Sequence, residues 1–87
     1  MFAKNNIINT MTITVLMFGR IAELTGEQRQ TFHDIPDTNR LLEHVTQTYP
    51  DIANLTYSIA VNTVMIRENT ALTDGDTVAL MPPFSGG

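Results

Sequence analysis

Between Thr12 and Phe18 apolar and polar positions alternate with a period of two. Ile13, Val15 and Met17 fall on one side; Thr12, Thr14, Leu16 and Phe18 fall on the other. That spacing predicts a β-strand. Its second side starts polar and ends apolar. The far end is therefore either covered on both sides or presents Leu16 and Phe18 to a partner. Gly19 breaks the strand. Ile21 to Leu24 suits a short helical turn, with Gly26 as its left-handed stop. Residues 28–33 make a weaker strand candidate. Ile35 and Pro36 lead into a helix capped by Asp37 or Thr38. On it Leu41, Leu42, Val45 and Tyr49 share one face, while Arg40, Glu43, His44 and Gln47 take the wet side. Pro50 stops it. Residues 58–65 read as one strand with Ile59 and Val61 inward, followed by a short excursion through Arg67 and Asn69 and a buried touch at Ala71-Leu72. Thr73-Asp74-Gly75-Asp76 is a turn, with Asp74 satisfying local backbone. Thr77 to Met81 is the last strand, Val78 and Leu80 alternating with Ala79 and Met81.

Strand, strand, helix, then further strands is the order of an α+β domain with one main helix laid across a mixed sheet. If the first and last strands are parallel neighbours, Phe18 and Met81 end together on the outer face. An apolar patch there would mark an interface.

The chain leaves that patch through Pro82, Pro83, Phe84 and Ser85 to Gly86 and Gly87. Two prolines favour an extended approach, and two glycines give a thin, unbranched tip that can enter a narrow channel. Met11 opens the first patterned segment. Residues 1–10 read as a disordered extension, with Met1 and Met11 both open as the native start, and residues 11–87 as the domain.

Composition narrows the chemistry. Eighty-seven residues make one small domain. The absence of cysteine excludes disulfides, thiolate metal sites and a cysteine nucleophile. A net charge of −4 argues against nucleic acid, whose phosphates need a basic face. No apolar run is long enough to span a membrane, and residues 1–10 lack the apolar stretch of a secretory signal, so the cytoplasm is the expected compartment. His33 and His44 fall on different elements without a carboxylate partner pattern and read as surface residues. Asp74 and Asp76 fall short of the ligand count calcium takes; no metal site is expected.

Several of these stretches carry a family likeness. The strand ending in Phe18, Glu23-Leu24-Thr25-Gly26, Ala60-Val61-Asn62, Leu72-Thr73-Asp74-Gly75-Asp76 and Val78 through Pro82-Pro83-Phe84-Ser85-Gly86-Gly87 together resemble the small, sulfur-carrier subunit of molybdopterin synthase. The likeness covers Met11 to Gly87 and is most specific from Leu72 onward. It implies a β-grasp, ubiquitin-like fold. It implies a non-catalytic subunit whose Gly87 carboxylate is adenylated by an activating enzyme using ATP and magnesium. A sulfur donor protein then converts the acyl-adenylate to a thiocarboxylate, 1-thioglycine. The tail, residues 82–87, would thread into a large catalytic subunit and pass sulfur to cyclic pyranopterin monophosphate. The working form would be a heterotetramer.

The resemblance also implies that Phe18, Met65 and Met81 touch the large subunit. Two positions depart from the family. Ala22 stands at an often-basic site, with Arg20 nearby, and Phe84 replaces a smaller residue before Ser-Gly-Gly. Two other functions share a Gly-Gly end. A thiamin-type sulfur carrier usually lacks the Pro-Pro-aromatic approach. A ubiquitin-like modifier would join Gly87 to lysines.

Overall fold

The computed structural model describes residues 11–83. The expected N-terminal extension and the tail residues Phe84, Ser85, Gly86 and Gly87 lie outside them. Five strands form one sheet: β1 Thr12–Met17, β2 Arg29–His33, β3 Ser58–Val61, β4 Val64–Ile66 and β5 Thr77–Met81. Their spatial order is β2-β1-β5-β3-β4. β1 and β5 run parallel at the centre, Val15 opposite Val78 and Met17 opposite Leu80, and the other neighbours are antiparallel. With α2, Thr38–Thr48, packed on one side, this is the β-grasp arrangement.

The period-two pattern sets the sides. Ile13, Val15, Met17, Val78 and Leu80 are buried on the inner face. Ile21, Ile35, Leu41, Val45, Ile52 and Leu72 meet them from above. Each fully buried aliphatic side chain contributes about 1.5–3 kcal/mol. Asp37 is the α2 cap, its carboxylate accepting the Arg40 N–H at 2.9 Å. Asn69 reinforces that end from a distant loop, accepting the Asn39 N–H at 2.8 Å. The short helix α1, Gly19–Thr25, ends at Gly26 with φ 75°, where a Cβ would be strained.

Three expectations need correction. Residues 58–65 are not one strand. Asn62 and Thr63 both take positive φ, 49° and 72°, and turn the chain back as a two-residue hairpin between β3 and β4. The strained turn is held from the start of β5 and the residue before it: the Asn62 amide group donates to Asp76 at 2.8 Å and accepts the Thr77 N–H at 2.9 Å. Pro50 stops α2, yet it also opens a 3-10 helix, Pro50–Asn54, that buries Ile52 completely. Asp74 does not serve its own turn; its carboxylate accepts the Thr12 N–H at 2.8 Å, tying the last loop to the start of β1.

Candidate functional site

The helices occupy one face of the sheet, and among the described residues no element covers the other. Its side chains follow from register. Arg29, Leu16, Ala79, Ala60 and Met65 form one row across all five strands, each opposite the next. One row nearer the tail lie Phe18, Met81 and Ser58; Ser58 pairs with Met81, and the Phe18 N–H donates to the Leu80 carbonyl at 3.1 Å. On the other side Thr14, Thr31 and Thr77 form a polar row.

The parallel pairing of β1 and β5 therefore places Phe18 and Met81 beside each other at the strand ends. Phe18 is 45% exposed and Met65 42%, whereas Met81 is partly covered. Met65 shares the open face but stands on the edge strand, about 10 Å to the side of β5 at ordinary strand spacing. Ala60 is also on this face and is 5% exposed. Its pairing with Met65 has no sequence signal of its own, because the hairpin that creates it is hidden behind a β-like run.

The tail root rests on the same corner. Pro82 has no N–H to extend the ladder, and its ring lies against Gly19. A Cβ on Gly19 would come within 2.8 Å of the Pro82 Cγ, and Gly19 has φ +58°, so only a bare Cα lets the two meet. Pro83 borders a hollow of about 710 Å³ with Tyr57, Ser58, Met65 and Arg67. The remaining tail positions named above are outside the described residues.

Among the described residues no group of three or more His, Cys, Asp or Glu side chains is arranged to hold a metal. His33 and His44 are exposed; a Thr12 hydroxyl approaches the His33 ring at 3.4 Å. Arg20 is engaged with Glu23 at 3.2 Å, both side chains two-thirds exposed, a pair that contributes little. Asp76 is held below the usual carboxylate range, first by the Thr73 N–H and then by the Asn62 amide. Burial raises the Tyr57 phenol above its ordinary value. No described helix is long and apolar enough to cross a membrane. What the described residues bring together here is a partly exposed apolar patch beside the root of the tail.

The molybdopterin synthase sulfur carrier subunit of Chlamydomonas reinhardtii is 37% identical over 83 residues, covering 88% of this chain and all of that protein. A solved complex of subunits 1 and 2 of the molybdopterin-converting factor from Helicobacter pylori contains a similar chain. It is 29% identical, with TM-score 0.68, 88% of this chain covered and 100% of that one. The small archaeal modifier protein 1 of Methanosarcina acetivorans shares the fold, with TM-score 0.77 at 21% identity over 90% of this chain and 98% of that one. The model of the ThiS family matches residues 15–87. This chain belongs to that family of small ubiquitin-like carriers, with molybdopterin synthase sulfur carrier subunits among its relatives.

Proposed function

We propose that this chain is the sulfur carrier of molybdopterin synthase, working in the cytoplasm with Gly87 as its reactive residue. One observation carries the reading. The uncovered apolar face lies at the strand ends from which Pro82 and Pro83 leave, so one partner can hold the face and receive the tail together. The Helicobacter pylori complex joins a similar chain to a second subunit, which supports a large catalytic subunit as that partner.

The chemistry belongs to the tail. The Gly87 carboxylate attacks the α-phosphorus of ATP in an activating enzyme, with magnesium, and pyrophosphate leaves. A persulfide of the donor protein then attacks the acyl carbon and AMP leaves; a second thiol of the donor or activating enzyme cleaves the resulting acyl disulfide, forming a disulfide with the donor sulfur and releasing the thiocarboxylate. The resulting thiocarboxylate is a competent nucleophile near neutral pH without any cysteine. Pro82 and Pro83 reduce the entropy lost when the tail orders in the partner. The folded body contributes docking and aim, and the partner contributes catalysis.

The test is reconstitution. A chain carrying the Gly87 thiocarboxylate is mixed with the large subunit and cyclic pyranopterin monophosphate, and dithiolene product is measured. Product that requires the thiocarboxylate is expected. A Gly87-deleted chain that still supports product would overturn the reading. Isopeptide adducts of Gly87 on cellular lysines, without product, would favour the modifier function instead.

A further inference from the structure

The sequence carries nine acidic residues against five basic ones, yet the charge is not spread evenly. None of the nine carboxylates falls within a strand. The outward positions of the sheet are Thr, Leu, Ala, Ser, Met and His, with Arg29 as the one full charge. Arg29 opens β2 at one flank, opposite Leu16. At the other flank Arg67 follows β4 directly, just beyond Met65. Each arginine borders a hollow beside the apolar patch. Arg29 shares one of about 460 Å³ with Leu16 and Phe18; Arg67 shares the one of about 710 Å³ with Met65, Pro83 and its neighbour Glu68, and that hollow reaches round the sheet edge to Leu42 of α2. Both are exposed. The single ion pair among the described residues is Arg20–Glu23, so neither flanking arginine is held by a carboxylate there.

The outward strand positions of this acidic protein thus carry no carboxylate, and an arginine unpaired among the described residues stands at each flank, with Glu27 two residues before Arg29 and Glu68 next to Arg67. We infer that the open face takes a protein surface with an apolar centre and an acidic rim, its carboxylates meeting Arg29 and Arg67 on either side of the Phe18–Met81–Met65 patch. The apolar centre supplies most of the affinity, and the two rim contacts fix register and speed the encounter. Because the two lie on opposite flanks, a partner rotated in the plane of the sheet satisfies at most one of them. The rim thereby sets the orientation in which the tail meets its channel.

This inference rests on the large subunit being the partner, and the experiment separates the two claims. Binding of the large subunit from the same organism is followed by surface plasmon resonance at low and high salt, with wild type, R29E/R67E, R29Q/R67Q and R40E. Arg40 is exposed on α2, away from the sheet, and serves as the control. Exposed ion pairs contribute ~0.2–1 kcal/mol each, and reversal replaces attraction by repulsion. R29E/R67E is therefore expected to weaken binding about tenfold, chiefly through the association rate, with the deficit shrinking at high salt. The neutral double variant falls between, and R40E stays within about twofold of wild type. Unchanged or tighter binding by R29E/R67E overturns the acidic rim, as does an equal loss with R40E. Wild type that fails to bind refutes the partner itself, and the inference falls with it.

Discussion

Truncating Phe18 to alanine separates the two roles a surface aromatic can have. A phenylalanine offers roughly 200 Å², and Phe18 is 45% exposed, so about 90 Å² is left to bury on docking. At about 25 cal/mol per Å² this is ~2.2 kcal/mol, or roughly a 40-fold rise in Kd. Its effect on folding is expected to be small, because Phe18 stands outside the core cluster formed by Ile13, Val15, Met17 and their neighbours. The melting temperature should move by less than about 5 °C. Isothermal titration calorimetry against the large subunit gives the first quantity and circular dichroism the second. A Kd within threefold of wild type, with the fold intact, would show that the open face is not the docking surface. A large drop in melting temperature would show that Phe18 serves the fold.

Ile52→Ala should cost about 2–5 kcal/mol in urea unfolding, because the side chain is fully enclosed; a cost below 1 kcal/mol would mean the 3-10 segment does not pack as described. Asp76 has a folded pKa lowered below its ordinary 3.8, so its contribution is complete above that value and is lost as pH falls through the lowered one. The stability gap between wild type and Asp76→Asn should therefore narrow below about pH 4 in thermal melts, and a gap that widens there would contradict the assignment. Gly26→Ala should cost on the order of 1 kcal/mol for its positive φ alone, since a Cβ there meets nothing. Gly19→Ala should cost more by its clash with Pro82, and equal costs would show that the contact is not kept.

What the sequence revealed depended on whether the signal was local. β1 and β5 alternate cleanly, so their inner faces were readable residue by residue. Pairing Phe18 with Met81 needed one further step, that the first and last strands be parallel neighbours, which the sequence left as a condition and the sheet supplies. Met65 shows where parity misleads. In an unbroken strand over 58–65 it would share the side of Ile59 and Val61, facing the core. The hairpin sets Val64 opposite Val61 and Met65 opposite Ala60, which puts Met65 on the open face. Thr63 hid that turn, because a β-branched residue at φ 72° runs against its own preference. The compensation comes from Asp76 and Thr77, more than ten residues away. The Asp74 bond to Thr12 was hidden for the same reason: its partner is 62 residues distant. Ile52 was lost because proline was read as an end and not also as a beginning. The flanking charges Arg29 and Arg67 become a pair only once the strand order is known.

The strand that leads into the tail is the last to be made, and it lies in the middle of the sheet, between β1 and β3. Until β5 has left the ribosome, the first strand and the β3–β4 hairpin have no common neighbour, and their inner faces stay unsealed. Closing the sheet brings together residues as far apart as Thr14 and Thr77, a late and slow step. Chains that stop short of Met81 are thus expected to remain open and exposed to proteolysis. The open face, with Phe18 and Met81 side by side, is therefore complete only once the last described strand has been inserted between β1 and β3.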